Sequence, residues 1–178
     1  TLSFSVLQID DASRYRAVFT NAAGSVTSAV VTLTVRTAPV VSTAPTDQTV
    51  TAGTTVSFTA AASGMPAPTV QWQVSTDAGT TWTDLTGRTD RTLTFIAAQS
   101  QDGYRYRAVF TNPAGSAAST VAILIVRTAP VVSTAPTDQT VIAATSVSFT
   151  AAASGMPAPT VQWQVSTVMG TPKVAPAA

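Results

Sequence analysis

The sequence predicts an all-β chain built from antiparallel β-sandwich modules. Three observations support this prediction: the composition, a long internal repeat, and an alternation of apolar and polar residues. Hydrophobic residues make up 45% of the 178 residues and charged residues only 10%. There is no Glu, and Lys173 is the only Lys, so two of the residues that best stabilise exposed helices are nearly missing. The abundant Thr and Val favour strands.

A repeat of about 90 residues sets the domain organisation. A shift of 91 residues superposes residues 1–80 on residues 92–171 with 60 identical positions. Residues 56–76 recur without change as residues 147–167. A period of this length matches one β-sandwich module and is far longer than the repeats of solenoids or propellers.

The phase of the repeat predicts one complete module with a half module on either side. Residue 1 aligns with residue 92, partway through a module, so we expect the chain to be a fragment of a longer tandem array. The complete module is predicted over residues 39–127. Residues 1–36 are predicted to be the C-terminal half of a preceding module. Residues 131–171 are predicted to be the N-terminal half of a following one, with a divergent tail over residues 172–178.

The two seams between modules share the sequence Arg-Thr-Ala-Pro, at residues 36–39 and 127–130. Proline restricts the backbone and has no N–H to donate. The seams are therefore predicted to be short, stiff connectors.

Apolar and polar side chains alternate along short segments of the complete module. Val70, Trp72 and Val74 alternate with polar residues, and Tyr106 alternates with Arg105 and Arg107. A period of two with one polar face is typical of an antiparallel sheet that is half buried on a core. Both segments are therefore predicted to be strands that line the core.

Several ordered motifs resemble the immunoglobulin superfamily, and its intermediate set most closely. The motifs are Val56–Ala60, similar to strand B; Gly64–Pro68 followed by Trp72, similar to the turn into strand C; Asp102–Ala108, similar to the opening of strand F, with Tyr106 at its tyrosine corner; and Asn112–Ser116, similar to the F–G turn. The resemblance implies an immunoglobulin-like antiparallel β-sandwich. It also implies strands E, F and G in residues 1–36 and strands A, B and C in residues 131–171.

The chain departs from the family at its disulfide. Ala60 and Ala108 stand at the two usual cysteine positions, and Ala151 and Ala17 are their counterparts in the half modules. A structural core is therefore expected to form by packing alone. The expected core residues are Trp72, Trp163, Tyr106, Tyr15, Ala60, Ala108, Phe58 and Phe110.

The sequence also excludes classes of function. A net charge of +1 provides no basic surface for nucleic acid, and no apolar run is long enough for membrane insertion. The chain has no Cys and no His, so it lacks thiol nucleophiles, the commonest general base and the usual zinc ligands. The one adjacent acidic pair, Asp10–Asp11, is expected to lie at the surface or to make a structural contact. Neither an enzyme nor a cofactor or metal site is predicted.

Three residues are candidate ligand contacts. Trp82 lies opposite Leu85 in the alternation, so it faces outward if Leu85 faces the core, and an exposed Trp can stack on a sugar or anchor a protein. Arg105 and Arg107 project from the polar face of strand F. The alternative is that Trp82 covers the edge of its own sheet and that the two arginines are simply solvated.

The predicted role is that of a non-catalytic structural spacer. Cysteine-free immunoglobulin-like repeats of bacterial surface and secreted proteins carry phrases similar to residues 71–76 and 106–112, and this resemblance implies an extracellular or cell-surface location. One alternative is an adhesion or carbohydrate-binding module that uses Trp82 or polar loops, and another is an accessory module of a secreted enzyme. The expected partners are neighbouring modules, a polysaccharide or surface protein, and a second copy bound head to tail through the half modules.

Overall fold

A computed structural model describes residues 1–166 and 173–174, and strands dominate it, as predicted. Residues 1–36 form the short strands β1 (Arg14–Tyr15), β2 (Val18–Asn21), β3 (Gly24–Thr27) and β4 (Val31–Thr32). The following strands are β5 (Thr37–Thr43), β6 (Gln48–Thr51), β7 (Thr55–Thr59), β8 (Ala61–Met65), β9 (Thr69–Ser75), β10 (Thr83–Asp84), β11 (Thr92–Ile96), β12 (Arg105–Asn112), β13 (Gly115–Ala118) and β14 (Ala122–Thr134). The remaining strands are β15 (Ala152–Met156), β16 (Gln164–Val165) and β17 (Lys173–Val174). Single 3₁₀ turns lie at Gln8–Asp10 and Gln99–Gln101.

Two layers form the sandwich between residues 37 and 127. In one layer, β10, β9, β12 and β14 lie side by side, β13 pairs with β12, and β6 adds to β14 as a parallel strand. In the other layer, β7 pairs with β11 and β5 pairs with β8. The register of β12 against β9 places Ala108 opposite Trp72. The alternating apolar residues of both strands therefore point to one core.

The core is packed around Trp72, which is fully buried and donates from its indole Nε1 to the carbonyl of Asp90 at 2.8 Å. Phe58 stacks on Tyr106 with ring centroids 5.0 Å apart. Burial raises the pKa of Tyr106 to about 12, so its hydroxyl stays neutral at ordinary pH. Ala60 and Ala108 are fully buried, and the aromatic rings fill the space around them.

The expectation that Trp163 and Tyr15 belong to a core is wrong. Trp163 is 36% exposed although residues 147–167 repeat residues 56–76 without change, and Tyr15 is only half buried. Trp72 is covered because β12 lies against it, whereas no described strand covers Trp163. The ring of Tyr15 contacts Phe4 at 5.5 Å but lacks the facing sheet that buries Tyr106.

The half modules form only those strands whose partners lie in the same segment. In residues 1–36 the F and G strands pair, as β1 with β4 and β2 with β3, whereas the expected strand E does not form, since residues 1–7 contain no strand. In the following half module β14 pairs with β15, but residues 147–151 do not form the first part of strand B. In the complete module the equivalent strands, β11 and β7, pair with each other.

The seam after the complete module is not a connector but part of a strand. β14 runs without interruption from Ala122 to Thr134. Pro130 is accommodated because the pairing of β14 with β15 shifts register between Thr128 and Val131. Gly155 suits this close approach, since a Cβ at that position would lie 3.3 Å from the Cα of Pro130, which is a tight contact.

Candidate functional site on the outer face of the module

Trp82, Arg105 and Arg107, the three candidate ligand contacts, lie together on the outer face of the sheet formed by β10, β9 and β12. Arg105 and Arg107 point outward because the residues between and beside them, Tyr106 and Ala108, point into the core. Trp82 immediately precedes β10 and is half buried, while Leu85 packs against the core from the same segment. Trp82 therefore lies on the outer side of the sheet, opposite Leu85.

A row of polar side chains crosses the three strands beside Trp82. Arg107 donates from Nε to Oε1 of Gln73 at 2.7 Å, and Gln73 donates from Nε2 to Oδ1 of Asp84 at 2.8 Å. The register explains this row, since Gln73 lies opposite Arg107 on β12 and opposite Asp84 on β10. We call Trp82, Arg105, Arg107, Gln73 and Asp84 the Trp82 cluster.

The guanidinium of Arg107 covers one face of the Trp82 indole. Its Cζ atom lies 4.2 Å from the ring centroid, within the range of a cation–π contact. Gly79 lies beside the indole with a φ of +94, a backbone conformation that L side chains rarely adopt, whereas a Cβ there would make only ordinary van der Waals contact with Arg105 and Trp82. The geometry supports both alternatives in part: Trp82 is outward-facing, yet one of its ring faces is already used by its own sheet.

Asp77 organises the loop that leads to Trp82. Its carboxylate accepts hydrogen bonds from the hydroxyl of Thr81 at 2.6 Å, from the N–H of Thr81 at 2.9 Å and from the hydroxyl of Ser75 at 2.7 Å. These bonds lower the pKa of Asp77 from 3.8 to about 2, and those from Thr81 contribute most. This carboxylate-centred loop was not predicted from the sequence.

We predict that the Asp77 loop weakens only in strong acid. Because the pKa in the folded state is lowered, the stabilisation by this carboxylate is complete above about pH 4 and is lost as the pH falls through about 2. An NMR titration of the Asp77 carboxyl carbon should have its midpoint near 2, and Thr81→Val should raise that midpoint. A midpoint near 3.8 in the unmodified chain would contradict this description of the loop.

The contact between Trp82 and Arg107 should contribute modestly to stability. We expect Trp82→Ala and Arg107→Ala each to lower the free energy of unfolding by about 1 kcal/mol, because both side chains are half buried on the outer face. The double variant should reveal a coupling of about 0.5–1 kcal/mol, the usual size of an exposed cation–π pair. Urea denaturation of the four proteins measures it, and strictly additive losses would show that the contact contributes nothing.

The acidic residues that were considered as catalytic or metal-binding candidates accept hydrogen bonds from backbone N–H groups. Oδ1 of Asp102 accepts the N–H of Val126 at 2.7 Å, and Oδ1 of Asp11 accepts the N–H of Val35 at 2.8 Å. Asp10 accepts the N–H of Leu7 at 2.7 Å. Asp102 thus caps the corner before β12. Within residues 1–166 and 173–174 no group of three or more His, Cys, Asp or Glu side chains is placed to hold a metal ion.

Comparison with known proteins identifies the complete module. The immunoglobulin I-set domain model matches residues 39–125. The central module is an immunoglobulin I-set domain. This match and the Phe58, Trp72 and Tyr106 core agree with the resemblance found in the sequence.

The relatives that the chain resembles are much longer proteins. It is 54% identical over 132 residues to Endoglucanase C of Cellulomonas fimi, a match that covers 74% of this chain and 12% of that protein. It is 31% identical over 162 residues to the Xenopus laevis protein named cell adhesion molecule-related/down-regulated by oncogenes, with 88% and 13% covered. Among solved structures, the tandem Ig repeats of Dlar align with a TM-score of 0.45 and 27% identity, over 68% of this chain and 65% of that one. In the described part of this chain no helix is long and apolar enough to cross a membrane.

Proposed function

We propose that this chain is a non-catalytic spacer in a tandem array of immunoglobulin-like modules, within a larger surface or secreted bacterial protein. The observation that carries the proposal is β14, which is the last strand of the complete module and the first strand of the next. A module that shares a strand with its neighbour is held at a fixed distance and orientation, and this is the property that a spacer needs.

The hydrogen bonding at the seam supports a stiff joint. Residues Leu124–Arg127 of β14 pair with β6, and the carbonyl of Arg127 also accepts the N–H of Ala52 at 2.8 Å. Thr128, the next residue, pairs with Met156 of β15. No residue between the two pairings is left as a flexible linker. β12, with 8 residues that rise ~3.4 Å each, gives every module a length of at least roughly 27 Å along the array.

The outer surface fits a passive role. Ser57 and Thr94 share a hydrogen bond at 3.1 Å, and Thr59 and Thr92 share one at 3.4 Å, so the hydroxyls of β7 and β11 satisfy one another across the sheet. In the Trp82 cluster, Arg107 likewise bonds to Gln73 and packs on the indole, and Gln73 bonds to Asp84. Such a surface presents few unsatisfied groups to a ligand.

The proposed setting is a secreted or cell-surface protein, and a polysaccharide-degrading enzyme is one form that it can take. The 54% identity to part of an endoglucanase supports an accessory position beside a catalytic domain. In that setting this chain would separate domains and would not take part in the reaction. Its proposed partners are the neighbouring immunoglobulin-like modules.

The second candidate function is binding of a polysaccharide or a surface protein through the Trp82 cluster. One observation favours it: the cluster places an outward-facing indole beside two arginines and a carboxylate on a rigid sheet. Against it, Arg107 occupies one face of the ring that a sugar would stack on. Removing Arg107 would uncover that face.

A binding experiment separates the two functions. The chain, Trp82→Ala and Arg107→Ala would be tested against soluble and insoluble polysaccharides and cell-wall preparations by affinity electrophoresis and calorimetry. The spacer proposal predicts no saturable binding by any of the three proteins. Binding that Trp82→Ala weakens tenfold or more, with the fold intact by circular dichroism, would replace the spacer with a binding module.

A further inference from the structure

Strand β11 of the complete module has one edge that no described strand covers, since it pairs only with β7. The residues that flank β11 show which edge this is. Arg91 through its carbonyl and Ala97 through its N–H bond at 2.9 Å to the residues that flank β7. Backbone groups alternate in direction along an antiparallel strand. The N–H and C=O groups of Thr92, Thr94 and Ile96 therefore point away from β7, toward the open edge.

The segment between β10 and β11 leaves this edge accessible. A cavity of about 200 Å³ separates the segment from β11, and its lining includes Leu85, Arg88, Leu93 and Ile96. The carbonyl of Arg88 instead accepts the N–H of Trp72 at 3.0 Å, which holds the segment to β9 in the other layer. A strand from another molecule can therefore approach β11 along its side.

The sequence of β11 lacks the features that usually protect an exposed edge. Thr92–Ile96 contains no charged residue and no proline, and its pairing with β7 has no bulge. Natural edge strands commonly carry one of these features, which prevent pairing with another chain. Ile96 is also 67% exposed at the end of the strand. The edge is therefore a template on which a further strand can pair.

This edge is complementary to itself in an antiparallel arrangement. About a two-fold axis at Thr94, that residue lies opposite its own copy, and Thr92 lies opposite Ile96 of the second copy. All three are hydrogen-bonded pairs, which together supply about six N–H···O bonds. Asp90 and Arg91, the charged residues before the strand, fall opposite alanines, so no like charges meet. A second copy of this chain thus fits the edge in sequence, direction and charge.

We propose that β11 of one copy pairs with β11 of a second copy, so that two arrays associate side by side through a sheet that is continuous across both. A single contact between five-residue strands is small, and one pair of modules should associate weakly. Repetition of the module along an array multiplies such contacts and strengthens the association. The proposal rests on the tandem array of the proposed spacer but not on the stiffness of its joints.

A single cysteine at the proposed axis tests this pairing in the full chain. The chain has no cysteine, and Thr94→Cys would place two thiols on residues whose Cα atoms lie about 5.5 Å apart. The matched control is Ser57→Cys, since Ser57 is also exposed and lies opposite Thr94 on β7. Its two copies would be about 14 Å apart, or three strand spacings. A short bismaleimide should therefore cross-link Thr94→Cys into dimers at least about tenfold faster, and equal rates would overturn the proposal.

Two variants of opposite charge test the same axis without a cross-linker. Thr94→Lys and Thr94→Asp each bring like charges together, so each alone should associate at least about tenfold more weakly than the unmodified chain in sedimentation equilibrium. Their equimolar mixture places opposite charges across the axis and should restore the association. Because Thr94 is exposed, both variants should unfold as the unmodified chain does.

The mixture is the decisive sample. A mixture that associates as weakly as the separate variants, or one association constant shared by all four samples, would show that β11 does not pair with itself. An unmodified chain that stays monomeric at millimolar concentration would show the same. None of these results would alter the test of the joint within one chain.

Discussion

Trp72→Ala is expected to cost the complete module about 3–5 kcal/mol, which is the usual range for truncating a fully buried Trp. The side chain is fully buried, lies opposite Ala108 and satisfies the carbonyl of Asp90 with its indole N–H. The module has no disulfide to hold the two sheets together. Since small domains are stable by about 5–15 kcal/mol, the loss should leave the module close to unfolding. Urea denaturation followed by circular dichroism measures it.

Trp163→Ala is the matched control, because its sequence surroundings are identical over residues 147–167 and 56–76. Its indole is 36% exposed, and it lies outside the complete module. At a concentration where the chain is monomeric, we expect this change to alter the main unfolding transition by less than about 0.5 kcal/mol. Equal losses in the two variants would show that the half module is packed as the complete module is.

Asn112→Ala is expected to destabilise the complete module by about 2–4 kcal/mol. The buried side chain donates to the carbonyls of Thr37 and Pro66, both at 2.8 Å, and accepts the N–H of Ala114 at 2.9 Å. The Asn112 side chain thereby links the start of β5, the turn before β9 and the turn after β12. Its removal leaves partly buried polar groups without a partner, and each such group costs about 1–3 kcal/mol.

Two further variants show whether these hydrogen bonds are responsible. Asn112→Asp keeps the acceptor for Ala114 but brings a carboxylate against two carbonyl oxygens, so it should not restore stability. Asn21→Ala alters the equivalent exposed residue, whose side chain accepts the N–H of Ala23, and should have little effect. If the free energy of unfolding of Asn112→Ala lies within about 0.5 kcal/mol of that of the unmodified chain, Asn112 does not hold this end of the module together.

The fold of the complete module could be predicted from the sequence because the alternation of apolar and polar residues is visible within each short strand. Alternation over residues 70–75 and 105–110 placed Trp72 and Tyr106 inside and Arg107 outside. Burial of the half modules could not be predicted in the same way. Trp72 and Trp163 share the same neighbours in sequence, and only strands distant in the chain decide which of them is covered.

The seam and the Trp82 cluster also depend on non-local geometry. Pro130 indicated a connector, but the register shift beside it lets β14 continue through the seam. Outward-facing arginines were predicted, whereas the bonds from Arg107 to Gln73 and from Gln73 to Asp84 require the register of three strands. The sequence therefore gives no indication of Asp84, and Gln73 is only one of the polar residues that alternate with the core side chains of β9.

The most direct test of the spacer proposal is the distance distribution across the seam. The chain has no cysteine, so Thr55→Cys in β7 and Ser154→Cys in β15 give two unique exposed sites for spin labels. Double electron–electron resonance, with the labelled chain diluted in unlabelled chain, should give one narrow distribution. Insertion of two glycines between Ala129 and Pro130 should broaden it markedly. If the distance distribution of the chain without the insertion is already as broad as that of the glycine variant, β14 does not act as a stiff joint and the spacer proposal fails.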